Sequence, residues 1–243
     1  MGVPTLGCTC RVCTSADPRD RRTRPSIAVA WEGHRVVIDT GPDFRSQALR
    51  EGIDRVDAVL YTHSHADHIL GLDDLRPLSF KHTGKLPLYA EDAAATVIER
   101  MFDYTFDTDS LYPTRARVKM HRLGPFIEIE GAAFHRVPLT HGRITVSGFR
   151  FGNAAYLTDM SDIPESSLAM LRDLDVVILD ALRRRPHPSH ANLEQALELV
   201  RRLQPKRAFF THMSHDILHA EVNQELPAHV QLAYDGLRIP CEI

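Results

Sequence analysis

Apolar residues along the chain follow two rhythms. Short runs with strand character occupy 27–31, 35–39, 56–61, 86–90, 126–129, 133–139, 145–151, 154–157, 176–179, 207–210 and 230–233, where β-branched, aromatic and other apolar residues gather between turn formers. Apolar positions spaced three and four apart predict helices over 91–101, 164–174, 191–203 and roughly 217–224. Asp235-Gly236 reads as a tight turn before a last short strand. Neither a linker nor a repeat interrupts this succession. The pattern predicts one domain over 1–243 of the α/β (α+β) class, with helices on the outer faces of two packed sheets.

Chemistry gathers where predicted strands stop. After the apolar run Val56 to Leu60 the chain reads Tyr61-Thr-His63-Ser-His65-Ala-Asp67-His68-Ile-Leu-Gly71. On an extended segment His63 and His65 point to one face, while Asp67 and His68 turn the corner and reach a second point. One short loop can therefore feed two metal ions. His141 follows the run ending in Pro138-Leu-Thr, Asp159 ends Ala155-Tyr-Leu-Thr, and His212 ends Ala208-Phe-Phe-Thr. Strands lying side by side would deliver all three to one sheet edge. Imidazole and carboxylate ligands suit zinc, manganese or iron(II), and the residue types do not choose among them.

The HxHxDH spacing followed by Gly71 resembles that of the metallo-β-lactamase superfamily. The resemblance implies a four-layer αββα sandwich with the metals at the sheet edges. It also implies a ligand set: His63, His65 and His141 for the first ion, Asp67, His68 and His212 for the second, and Asp159 bridging the two.

Composition fits one enzyme-sized domain. The 243 residues are 43% apolar, ordinary for a globular chain. Lys and Arg number 29 against 32 Asp and Glu, a net charge of -3 that offers no broad basic surface for nucleic acid. Clusters at Arg19 to Arg24 and Arg183 to Arg185 can bind phosphate or stand as solvated loops. No run approaches the length of a membrane span, and Met1 opens no signal-peptide pattern, so a cytoplasmic location is expected.

Cys8, Cys10 and Cys13 form Cys-x-Cys-x-x-Cys in a loop-like stretch of about 2–24, a spacing that gathers three thiolates around one tetrahedral ion and needs a fourth ligand. A disulfide or free thiols are the other readings. Cys241 has no partner motif and reads as an inert thiol. The segment Gly2-Val-Pro-Thr-Leu-Gly-Cys8-Thr-Cys10-Arg-Val-Cys13, with Arg24-Pro-Ser-Ile-Ala-Val after it, resembles the N-terminal signature of the phosphoribosyl cyclic-phosphate phosphodiesterase family of the carbon-phosphorus lyase pathway. That resemblance implies His215, in Thr211-His212-Met-Ser-His215, as the fourth ligand of a structural zinc. It implies His190, in Pro188-Ser-His190-Ala-Asn, as an additional active-site histidine. Members of that family begin with an apolar strand and a Gly-rich turn before Gly-Val-Pro, so the first N-terminal strand of the fold is expected to be missing from this sequence.

The expected activity is hydrolysis of a small cyclic phosphate ester by a dinuclear centre, with His190 as general acid and Asp67 both ligating metal and orienting the nucleophile. The resemblance implies 5-phosphoribosyl 1,2-cyclic phosphate as substrate, ribose 1,5-bisphosphate as product and a homodimer as the assembly. Three alternatives stay open. A transfer-RNA 3′ processing endonuclease shares HxHxDH, a thioester or lactam hydrolase shares the fold, and a metal-bearing binding module would lack turnover. Histidines 34, 82, 121, 135, 187, 219 and 229 carry no motif and no expected role.

Overall fold

A computed structural model describes residues 2–107 and 114–243. The chain divides into two compact units, one formed by residues up to Thr23 together with Ala132–Ile243, the other by Arg24–Gly131.

In the Arg24–Gly131 unit, β1 (Ile27–Trp31), β2 (His34–Ile38), β3 (Ala58–Leu60), β4 (Leu86–Ala90) and β5 (Val118–Arg122) pair in that order in a mixed sheet. β1 and β2 form an antiparallel hairpin with Trp31 opposite His34. Its turn residues Glu32 and Gly33 both take positive φ, 43° and 85°, the geometry that matches strand twist in two-residue hairpins. β2 to β5 are parallel. Parallel strands need crossovers, and α1 (Phe44–Arg50), α2 (Ala66–Ile69), α3 (Arg76–Ser79), α4 (Asp92–Met101) and α5 (Asp103–Phe106) lie in those connections. Val37, Phe44, Val59, Tyr61, Ile69, Leu75, Leu88 and Ile98 pack into one buried cluster. A short strand β6 (Phe126–Ile129) follows β5.

The other unit begins with an antiparallel meander of β7 (Ala132–His141), β8 (Ile144–Phe151) and β9 (Ala154–Leu157). It continues with parallel pairing of β9, β10 (Val176–Asp180), β11 (Arg207–Thr211) and β12 (Val230–Leu232). The crossovers contain α6 (Glu165–Leu168), α7 (Leu193–Leu203) and α8 (His219–Glu225). α7 shows why its sequence is helical. Leu193, Ala196, Leu199, Val200 and Leu203 fall on one buried face, and Asn192 and Gln195 form a reciprocal capping box.

The one-turn helices α2, α3 and α5 were not expected from the sequence, and four further differences each have a local reason. β5 went unpredicted because its sequence, Val-Lys-Met-His-Arg, is mostly polar; it is the last strand of its sheet, and only Val118 is fully buried. α1 buries only Phe44 and Ala48, too few positions to set a period. The helix expected over 164–174 is instead α6 followed by a single 3-10 turn, Ala169–Leu171. Its apolar spacing survives because Ile163, Leu171 and Leu174 are still buried. No strand follows the Asp235-Gly236 turn. The chain end instead bonds to the β8–β9 turn, where Asn153 donates its N–H to the Glu242 carbonyl at 3.3 Å and its side-chain oxygen accepts from the Glu242 N–H at 3.1 Å. A Cβ on Gly152, at φ 52°, would lie 2.2 Å from that same carbonyl.

Replacing Asn192 by Ala removes the side-chain oxygen that accepts the Gln195 N–H and leaves only the backbone half of the capping box. Stability should fall by about 1 kcal/mol, read as a lower urea midpoint with an unchanged slope.

Candidate metal centre

His63, His65, Asp67 and His68 sit just beyond β3, the last two in the first turn of α2. The ring of His63 lies 4.5 Å from that of His65 and 4.3 Å from that of His68. Asp39, the residue after β2, organises this loop from behind. Its carboxylate accepts from the Thr62 N–H and hydroxyl, each at 2.8 Å, and faces His68 Nδ1 at 2.7 Å. Burial pushes the Asp39 carboxyl upward, opposed by His68 and the Thr62 donors. His63 Nδ1 is 2.9 Å from the Thr62 hydroxyl. With Nδ1 engaged on His63 and His68, each ring turns Nε2 the other way, the arrangement of metal-ligating histidines. Gly71 is required by close approach, since a Cβ there would lie 2.2 Å from the Gly41 carbonyl.

In the other unit His141 ends β7, Asp159 lies just past β9, and His212 follows β11. His141 Nδ1 meets the Ser189 carbonyl at 2.7 Å. A carbonyl only accepts, so Nδ1 carries the proton, and Nε2 is the nitrogen left to face a metal. The Thr158 hydroxyl donates to Asp159 at 3.0 Å, and Asp159 is 3.5 Å from His212 Nε2. His190 is drawn into the same cluster. Its ring stacks 4.7 Å from His212 and lies edge-on 4.6 Å from His141. The ligand atoms of Asp159, His190 and His212 lie within 4.8 Å of one another.

Asp180 was missed by the sequence analysis. Fully buried at the end of β10, it faces His190 Nδ1 at 2.7 Å through one oxygen and His212 Nδ1 at 3.5 Å through the other. One carboxylate thus backs two imidazoles. The available signal was its place, an acidic residue closing the apolar run Val176 to Leu179. Asp39, Asp159 and His212 also share a backbone feature, with φ of 65°, 53° and 57°. Such left-handed residues cluster at functional sites, where the surroundings hold them.

Cys8, Cys10, Cys13 and His215 converge as a second kind of site. His215 Nδ1 lies 3.2, 3.5 and 3.6 Å from the three sulfurs. Bonds of about 2.3 Å to sulfur and about 2.0 Å to nitrogen give a tetrahedral edge of about 3.5 Å, so the cluster is zinc-sized. No cysteine is in a disulfide. The N–H of Cys13 is the main influence bringing the Cys10 thiol down to about 6, whereas burial raises that of Cys13. Four protein ligands close such a site, as in structural zinc. Burial also raises the Cys241 thiol.

The arginine clusters are occupied by the chain itself. Arg183 bonds the carbonyls of Arg185 and Pro186, Arg184 pairs with Glu225, and Arg185 with Asp216. Arg19, Arg22 and Arg24 pair with Asp17, Asp20 and Asp43. His187 has its ring 5.0 Å from that of His190, and burial lowers its basicity. Among the described residues no helix is long and apolar enough to cross a membrane.

Residues 34–213 match the family model of the beta-lactamase superfamily domain. The crystal structure of a new diphosphatase from the PhnP family is 52% identical, with a TM-score of 0.94 over 100% of this chain and 94% of that one. The chain belongs to the PhnP family. It has the metallo-β-lactamase fold, its two sheets mixed and accompanied by helices. A curated relative, the octanoyltransferase of Porphyromonas gingivalis (strain ATCC BAA-308 / W83), is 39% identical over 241 residues, 97% of this chain and 48% of the relative. The chain therefore spans about half the length of that relative. Zinc-bound PqqB from Methylobacterium extorquens, 19% identical with a TM-score of 0.79 over 99% of this chain and 96% of that one, shares the fold.

Two predictions follow from the ligand geometry. Replacing Asp180 by Ala should weaken divalent-metal binding about 10- to 100-fold, the usual effect of losing a carboxylate behind a ligating histidine, as read by competition with a chromogenic chelator. In zinc-free protein at pH 7, above the Cys10 value of about 6, iodoacetamide should modify Cys10 before Cys13, as read by peptide mass mapping. Added zinc should protect both.

Proposed function

We propose that the PhnP-family chain is a dinuclear metal-dependent phosphodiesterase of small substrates, with 5-phosphoribosyl 1,2-cyclic phosphate, opened to ribose 1,5-bisphosphate, as the leading substrate. The observation that carries this reading is the donor set. His63, His68 and His141 each have Nδ1 engaged inside their own unit, which supports Nε2 ligation. His63, His65 and His141 would hold one ion, Asp67, His68 and His212 the other, and Asp159 would bridge them. Zinc and manganese both suit these donors, as does iron(II). When bound, such a pair of ions polarises a phosphoryl oxygen and lowers the pKa of the attacking water.

The chain's own residues do the rest. Asp67 would orient the attacking water. The leaving oxygen needs a proton, and His190 would deliver it from Nε2, because Nδ1 is turned toward Asp180. The buried Asp180 carboxylate would stabilise the protonated imidazole, as a carboxylate does behind a histidine acting as acid and base. Net charge of -3 and self-paired arginines support a small substrate over a folded RNA, with any 5-phosphate contact coming from groups other than Arg183 to Arg185.

A second reading has a specific observation behind it. The relative that is 52% identical is described as a diphosphatase, which favours cleavage of a P–O–P bond by the same machinery. The name octanoyltransferase describes a relative of which this chain matches 48%, and we carry no acyl transfer over from it.

Specificity constants separate these readings. Under added manganese or zinc, ribose 1,2-cyclic phosphate with its 5-phosphate should be cleaved more efficiently than 2′,3′-cyclic nucleotides, a dinucleoside diphosphate or a 3′-extended transfer RNA. Preference for the diphosphate would establish the second reading, and site-specific trimming of the RNA would overturn the small-substrate assignment. Silence toward bis(p-nitrophenyl) phosphate with both metals would favour a binding module without turnover.

Replacing His190 by Ala should lower turnover about 100-fold or more on esters with poor leaving groups. The loss should shrink for p-nitrophenolate, which needs little protonation. Equal losses on good and poor leaving groups would assign His190 to substrate positioning.

A further inference from the structure

His212 adopts φ 57°, a backbone conformation disfavoured for residues bearing a Cβ and kept where the surroundings fix it. Much of what fixes the turn after it comes from far back in the chain. Arg22, with 5% of its side chain exposed, donates to the Ser214 carbonyl at 3.1 Å and to the Ile217 carbonyl at 2.7 Å. Its guanidinium also pairs with Asp20 at 3.0 Å. Asp20, buried still more fully, accepts the His219 N–H at 2.8 Å and the Ser15 hydroxyl at 2.7 Å. Arg22 itself is anchored by paired backbone bonds with Val3, both 2.8 Å. The Ser214 N–H is tied to the Leu182 carbonyl at 2.7 Å.

A buried ion pair is a weak source of stability, because desolvation offsets most of the attraction. Its value is geometric where its donors fix a segment that must not move. The two carbonyls that Arg22 holds lie between His212 and α8, on either side of His215.

We propose that Arg22, braced by Asp20, is a positioning residue for the metal centre: it clamps the turn from Ser214 to Ile217 and so holds His212 in its left-handed backbone, separately from any zinc on His215. The inference rests on the reading of His212 as an active-site ligand.

Cobalt(II) titration of metal-free protein tests it without any substrate. Thiolate-to-cobalt charge-transfer absorption reports the cysteine cluster, and visible d–d bands without that absorption report nitrogen and oxygen ligation. In R22M, cobalt affinity at the nitrogen–oxygen site should fall about 10- to 100-fold, while the thiolate site titrates as in wild type. C10S should do the reverse, weakening cobalt binding and the charge-transfer band at the thiolate site, where only Cys8 and Cys13 remain, and keeping the other site. R22K, which retains the charge but reaches fewer acceptors, should recover part of the loss. Should R22M fail to fold, D20N is titrated in its place and should show a smaller loss at the same site. Wild-type affinity at both sites in the Arg22 variants, or equal loss at both, would overturn the proposal. If wild-type protein binds cobalt only through thiolates, the dinuclear reading itself fails, an outcome distinct from either.

Discussion

Holding a fully buried carboxylate inside protein costs several kcal/mol unless donors surround it, and this fold makes that constraint useful twice. Asp39 is buried among the Thr62 N–H, the Thr62 hydroxyl and His68 Nδ1. Asp180 is buried among the Met160 N–H, His190 Nδ1 and the ring of His212. In each unit the carboxylate fixes which imidazole nitrogen faces inward. The outward-facing nitrogen is then available to a metal or to a proton in transit. The same bonds that satisfy the buried charge therefore prepare the chemistry.

Parallel pairing supplies the geometry around these carboxylates. Asp39 follows β2 and the histidine loop follows β3, which are parallel neighbours in register. Asp159, Asp180 and His212 lie at the ends of β9, β10 and β11, also parallel neighbours. Strands running the same way release their C-terminal loops along one edge, where open α/β sheets gather ligands. Reversing one of these strands would send its functional residue to the opposite edge. The positive φ angles at Asp39, Asp159 and His212 mark where the backbone is bent away from strand geometry to aim these groups.

The cysteine cluster plays a different part. The convergence of Cys8, Cys10, Cys13 and His215 brings the N-terminal loop against the turn after β11. Asp20 and Arg22 reach the same turn by hydrogen bonds alone. A short N-terminal segment that could bury little apolar surface by itself is thus held by polar bonds and thiolate geometry.

What the sequence by itself determined follows from short-range rules. Side-chain chemistry and spacing are local properties, so HxHxDH, the three later metal-competent residues at strand ends, the cysteine spacing and the strongly periodic helix α7 were all readable from residue order. Elements with too few apolar positions to set a period, such as α1, or with a mostly polar sequence, such as β5, were not. Only the tertiary structure revealed Asp180 and Asp39 as partners of His190 and His68, across separations of 10 and 29 residues, and Arg22 as a partner of Ser214 across 192. These residues carry no motif, because their role is set by what folding brings beside them. A lone aspartate or arginine in sequence has no period to betray it, and its burial against a particular imidazole or carbonyl is decided by strand order and chain crossover.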